Sequence, residues 1–161
     1  MKLKTLVGNG ILAALYIAVT MLVQPFGFSQ IQFRLSEIFN HLVVFNKKYI
    51  FGMIIAVFLS NLLFSPIPAF DIVFGVGHTT IALLITIGSA RFIKSIWGRM
   101  MVNTLVFTFT MFIIALELKL ALGFPFWITW ATTAVGEFVV MAAGMPIIWA
   151  LNKRLNFAKY V

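Results

Sequence analysis

Gln32 to His41, QFRLSEIFNH, places an arginine and a glutamate three residues apart within a chain that otherwise reads like lipid-facing sequence. If the stretch is helical, Arg34, Glu37 and then Asn40 or His41 recur at i, i+3 and i+6/7 and form one polar stripe, while Leu35, Ile38, Phe39 and Leu42 cover most of the remaining surface. A charged side chain at mid-bilayer costs about 2.5 to 3.5 kcal/mol on insertion scales, so the stripe must face protein, water or a ligand. Two readings stand side by side: Arg34 and Glu37 neutralise each other near the interface, or they belong to a site.

The rest of the chain sets the solvent. Of 161 residues, 62% are hydrophobic and 10% charged, with a mean hydropathy of +1.07, too apolar for a soluble domain. Twelve basic residues scattered in small groups between apolar runs read as orientation signals and not as a nucleic-acid surface, despite the net charge of +8. With no cysteine, disulfides, thiolate metal sites and cysteine nucleophiles are excluded. MKLKTLVGNG begins like a signal peptide, but the apolar run continues to Val23 without a convincing cleavage site, so it reads as a retained span.

Apolar runs measured against the roughly 20 residues that cross a bilayer give six segments in one transmembrane domain, residues 1–161: approximately 6–24, 34–46, 50–64, 71–90, 100–116 and 127–151. The second is short and needs shelter from protein. Phe26 to Phe33 alternates apolar and polar residues and reads as a loop or short extended piece. Pro66 and Pro68 close the third segment, and Asp71 is placed to cap the fourth. The amino terminus, the Lys47 loop, the Arg91 to Arg99 loop and the carboxyl terminus hold ten of the twelve basic residues, which places both termini in the cytoplasm. The loop before Arg34, the Ser65 to Phe70 loop and the Glu117 to Phe126 loop then lie on the outer side.

No GxxxxGK[ST], HExxH or GxSxG motif occurs, and no Cys/His ligand set. The chain is therefore expected to be no enzyme, to hold no metal or cofactor, and to draw energy for uphill movement from a partner or an ion gradient. Glu37, Asp71 and Glu137 can face a common pocket. Glu137 lies far from either end of its helix, with Trp130 and Thr133 on the same face. Asp71, Gly75, His78 and Thr79 share another face; His78 reads first as a satisfied buried histidine. Asn61 and Asn103 are single amides in apolar spans, equally suited to ligand contact and to interhelical hydrogen bonds. Glu117 reads as a loop charge beside Lys119. Against one embedded cation, Arg34, the pocket is net acidic and suits a ligand with positive charge or paired N–H donors, such as the edge of a guanine-like ring, on which Phe33, Phe74, Trp127 or Trp130 could stack. In the first span Gly10, Ala14 and Ala18 form a small-residue stripe that serves either packing within the chain or a partner helix.

QFRLSE, the Asn61 span with its proline-containing exit, DIVFGVGHTT from Asp71 to Thr80, Asn103 and Gly136-Glu137 together resemble the QueT family of queuosine-precursor transporters, over about residues 10 to 151. The resemblance implies a six-helix S component of an energy-coupling factor (ECF) transporter. Such a subunit captures a deazaguanine precursor or queuine from outside, assembles with a transmembrane T component and two cytoplasmic ATPases, and topples in the membrane to release its ligand. It also implies that Ala14 and Ala18, with Gly10, contact the T component. The expected ligand residues are Arg34, Glu37, Asn103 and Glu137, then Asp71, with Asn61, Thr79 and Trp130. The rival expectation is a stand-alone proton-coupled secondary transporter of a purine-like or vitamin-like substrate, with Glu137, Asp71 and His78 as its relay.

Overall fold

Long uninterrupted apolar runs become long helices because every backbone donor and acceptor is satisfied within the segment. The computed structural model describes residues 2–27 and 32–161. It contains helices α1 (Leu3–Leu22), α2 (Gln24–Gly27), α3 (Leu42–Phe45), α4 (Ile50–Phe64), α5 (Pro68–Ser89), α6 (Ile96–Thr110), α7 (Phe112–Leu122) and α8 (Phe126–Leu155). Short 3-10 helices cover Leu35–His41, Lys47–Tyr49 and Phe157–Lys159, and no strand occurs among the described residues. Five stretches are long and apolar enough to cross a membrane: Leu3–Leu22, Lys47–Phe64, Pro68–Ser89, Ile96–Leu122 and Phe126–Leu155. Leu35–Phe45 is a sixth, shorter apolar piece; at the rise of its 3-10 and α portions it covers about 20 Å, against about 30 Å of hydrocarbon.

Several boundaries depart from the expected ones, each for a local reason. α1 stops at Leu22, before Pro25, and the Gln24–Gly27 turn follows it; the expected loop from Phe26 runs into residues 28–31, which lie outside the described residues. Asp71 is not the cap of α5. Ile67 holds that place, Pro68 fills the first turn, where its missing N–H costs nothing, and Asp71 is the fourth helical residue. The fifth segment is broken at Met111 and continues as α7 to Leu122, so Glu117 and Lys119 are helical and not in a loop. α7 ends on Gly123, whose positive φ of 74° allows the Phe124 N–H to turn back onto the Leu118 carbonyl at 3.4 Å. α8 runs through Pro146 to Leu155.

The helices close a ring. α1 packs on α4, α4 on α5, α5 on α6 and α7, and both of these on α8. The Leu35–His41 helix completes the ring between α8 and α1. Close approach at three of these contacts depends on glycine. A Cβ on Gly52 would lie 2.6 Å from Asn9 Oδ1, one on Gly144 2.8 Å from Ile38 Cβ, and one on Gly75 2.6 Å from Asn61 Nδ2. The apolar core runs through Tyr16, Val43, Met53, Leu83, Phe107 and Met141. Outside it, Leu6, Ile11, Ile55, Leu62, Leu84 and Val139 are exposed, the inverted surface expected of a chain whose solvent is lipid.

A buried acidic centre around Arg34

All four acidic residues of the chain, Glu37, Asp71, Glu117 and Glu137, are buried. Lipid offers them no hydrogen bonds, so each must be held by protein or by something bound to it. Arg34 is the hub. Its backbone, at φ −90° and ψ 87°, precedes the 3-10 helix, so helical spacing does not govern its side chain. The guanidinium reaches across the bundle instead, forming a salt bridge to Asp71 Oδ1 at 3.0 Å. It also donates to Asn61 Oδ1 at 3.4 Å, Gln32 Oε1 at 2.9 Å and the Gly27 carbonyl at 3.2 Å. The expected i, i+3 pairing of Arg34 with Glu37 is replaced by this contact over 37 positions.

The entry to α5 is built to receive the pair. Ser65 donates to the second oxygen of Asp71 and accepts from the Ile67 N–H at 2.8 Å, while Asn61 Nδ2 donates to the Asp71 carbonyl at 2.7 Å. Asn61 thus bridges anion and cation, and Gly75 makes the room for it. Glu37 is satisfied separately, by the Tyr16 hydroxyl at 2.5 Å and by the Asn40 amide. A 3-10 helix has three residues per turn, so Glu37 and Asn40 lie one above the other.

Of the remaining two carboxyls, three oxygens have no donor among the described residues. Glu137 Oε1 has no hydrogen bond among the described residues, and its charged neighbours are Glu37 and Arg34. It enters the bundle along α8, eleven residues past Phe126, about 16 Å by helical rise. Neither oxygen of Glu117 accepts from a donor among the described residues; the Asp71 carboxyl lies within hydrogen-bond reach of it, and Arg34 is a further charged neighbour. The expectation that Glu117 is a loop charge is therefore overturned: it is 0% exposed on the inner face of α7, beside Ile114 and Leu118. The signal was available in the spacing, since Ile114, Glu117 and Leu118 share one helical face and FIIALELKLAL contains no helix breaker before Gly123.

Asn103, His78 and Trp130 hold hydrogen-bond partners outside this hub. Asn103 is wholly buried in a second network. His41 Nε2 donates to the Met141 carbonyl at 2.9 Å, which leaves Nδ1 to accept from the Asn103 amide at 3.2 Å, and Asn103 Oδ1 accepts from Thr86 at 2.8 Å. The interhelical alternative describes Asn103 here. His78 is a satisfied core histidine, 3.4 Å from the Phe107 carbonyl and edge-on to the Phe107 ring. Thr79 is buried. Trp130 donates to the Phe109 carbonyl at 3.1 Å and packs among Phe109, Phe112 and Phe126. Among the described residues no group of His, Asp and Glu has the arrangement of a metal site.

The QueT transporter family matches residues 6–153. The chain belongs to the QueT transporter family. It is 34% identical, over 98% of its own length and 98% of the relative's, to a protein of Lactococcus lactis subsp. cremoris (strain MG1363) named queuosine precursor transporter QueT. No solved structure matches. The QueT family is one of transporters, so the chain is a multi-pass membrane protein and not an enzyme. On this QueT family member Gly10, Ala14 and Ala18 all face outward from the ring. The bundle face of α1 is carried by Asn9, Leu12, Ala13, Tyr16 and Thr20 instead, so the stripe does not serve packing among the described residues.

Proposed function

We propose that this chain is the substrate-binding S component of an ECF-type ABC importer, capturing a queuosine precursor, a deazaguanine or queuine, from outside the cell. The observation that carries the reading is the buried acidic centre. A membrane protein that encloses four carboxyls and one guanidinium, two of the carboxyls with oxygens lacking donors, is built to surround a polar, donor-rich solute. The name of the Lactococcus relative supports a queuosine precursor as that solute. We assign Arg34, Glu37, Asp71 and Glu137 to the site, with Asn61 bridging Arg34 and Asp71, and Thr79, Asn103 and Trp130 in the surrounding wall.

With no phosphate-binding loop in the sequence, uphill transport needs ATPases from elsewhere, which supports assembly with a T component and two cytoplasmic ATPases. The outward-facing stripe of Gly10, Ala14 and Ala18 is the surface on which a T-component helix would pack. The crowding of ten basic residues into one set of loops and termini supports cytoplasmic termini, a single transmembrane domain over 1–161, and a site toward the outer side. The same buried carboxyls favour a second reading, a stand-alone proton-coupled carrier.

Calorimetric titration of the purified protein with 7-aminomethyl-7-deazaguanine tests capture. Binding in the absence of ATPases, weakened about tenfold or more (about 1.4 kcal/mol) by Glu137→Gln, is expected. No binding by folded protein refutes the substrate. Uptake into vesicles separates the readings: dependence on the T component and ATP is expected, whereas uptake by the chain alone that stops when the proton gradient collapses selects the carrier.

A further inference from the structure

We propose that Glu117 is a substrate-binding carboxylate that receives a protonated amine of the ligand, so that the site selects amine-bearing deazaguanines over neutral ones. The inference rests on the function proposed above and deepens it.

Four buried acceptor atoms in this part of the bundle face no donor among the described residues: Asn40 Oδ1, Glu117 Oε1 and Oε2, and Glu137 Oε1. Their residues are 0%, 0% and 2% exposed, so water does not serve them from outside. No unpartnered buried donor lies on these same residues to offset them, and the cation of the cluster, Arg34, already holds Asp71, Asn61 and Gln32. A surplus of acceptors calls for a ligand that is rich in donors.

The surplus falls into two groups that share Arg34 as a charged neighbour. In one, Glu137 and Asn40 each present one oxygen, both linked to Glu37, the charged neighbour of Glu137 and the hydrogen-bond acceptor of Asn40. Two separate acceptors suit two parallel N–H groups on the edge of a planar ring. In the other, Glu117 presents both oxygens, with the Asp71 carboxyl within hydrogen-bond reach. An ammonium carries three donors and no acceptor, which matches two carboxyls set against each other and matches no neutral substituent such as a nitrile. The ligand therefore lies with its ring edge at Glu137 and its amine at Glu117. Glu117 enters from α7 and Asp71 from α5, two helices that pack on each other, so the amine-binding side is set by the contact between them.

The test is titration of the full-length protein in nanodiscs with 7-aminomethyl-7-deazaguanine and with 7-deazaguanine, which lacks the amine, for wild type, Glu117→Gln, Glu117→Asp and Glu137→Gln. Wild type is expected to prefer the amine by about tenfold or more, the scale of a charge-assisted hydrogen bond. Glu117→Gln is expected to remove that preference while holding 7-deazaguanine within about twofold of wild type, a retention that also reports an intact fold, and Glu117→Asp to restore part of it. Glu137→Gln weakens both ligands. An unchanged preference in Glu117→Gln, or equal loss of both ligands, overturns the assignment. Should Glu117→Gln fail to purify as a folded protein, equal wild-type affinities for the two ligands overturn it as well. Absence of binding of either ligand by wild type is a different failure, that of the proposed substrate itself.

Discussion

Replacing Asp71 by alanine removes the anion that faces Arg34 and leaves a guanidinium inside the bundle. The two side chains are 10% and 4% exposed and meet at 3.0 Å, so water cannot take over. Breaking a buried pair from one side costs about 3–5 kcal/mol. Asp71 also anchors Ser65, which holds the Ile67 N–H at the entry of α5, and losing that link adds about 1 kcal/mol. Against this, Gln32 and Asn61 continue to solvate the guanidinium, and Glu117 stands near enough to offer it a substitute charge. The expected net loss is about 4 kcal/mol. The paired change Arg34→Met with Asp71→Leu removes both charges and should be less destabilised than Asp71→Ala alone, because no buried ion is left without a counter-charge. Unfolding of each variant in mixed micelles, followed by the fluorescence of the four tryptophans, measures the series. If the paired variant loses as much stability as the two single changes summed, the residues do not act as a pair and the hub does not exist as described.

Three further outcomes follow from contacts outside the hub. Asn103→Leu strands the Nδ1 of His41, while the Thr86 hydroxyl keeps the Ala82 carbonyl, and should lower stability in the same unfolding assay by about 1–3 kcal/mol; a neutral result would mean that the network carries no weight. Gly144→Leu drives a side chain into Ile38, where even a Cβ would approach to 2.8 Å, and is expected to cost about 1–3 kcal/mol or more and to displace the Leu35–His41 helix, seen as altered protease access. Ala14→Trp adds bulk to an outward position on α1; ligand binding should be retained while ATP-driven uptake by the assembled transporter is lost, and undiminished uptake would rule out docking at this stripe.

The sequence makes the long helices plain, because length and apolar continuity are the same property in lipid. It also marks the polar stretch around Arg34, since charges in such a chain are conspicuous. What it does not contain is the partner of each charge. Arg34 has a long flexible side chain and stands before the helix that would have fixed its register, so its choice of Asp71 over Glu37 is decided by the packing of α4 and α5. Glu117 was misplaced for a related reason. ELK reads as a loop when the preceding segment is assumed to be one straight span, and the break at Met111 is marked by no proline or glycine. Thr110, whose hydroxyl bonds back to the Val106 and Phe107 carbonyls, stands next to the break, but Thr80, Thr86 and Thr104 make the same kind of bond within unbroken helices. Such a threonine marks a break only once the helix around it is known.

The short Leu35–Phe45 segment and the acidic centre are two sides of one arrangement. A helical piece too short to cross the bilayer leaves backbone groups at its ends that lipid cannot satisfy, so it must be enclosed by other helices. Enclosure by α1, α5, α6 and α8 brings Tyr16 and Glu137 to its Glu37, and α7 carries Glu117 on its buried face. The 3-10 winding aligns Glu37 with Asn40 on one edge, and the non-helical backbone of Arg34, at φ −90° and ψ 87°, keeps its side chain off that edge. Polar residues that no lipid-facing helix could carry are thereby collected in one place, with four acceptor atoms that no donor among the described residues fills. A polar solute that brings donors completes the interior, which makes the segment least able to live in lipid the one best suited to hold a passenger.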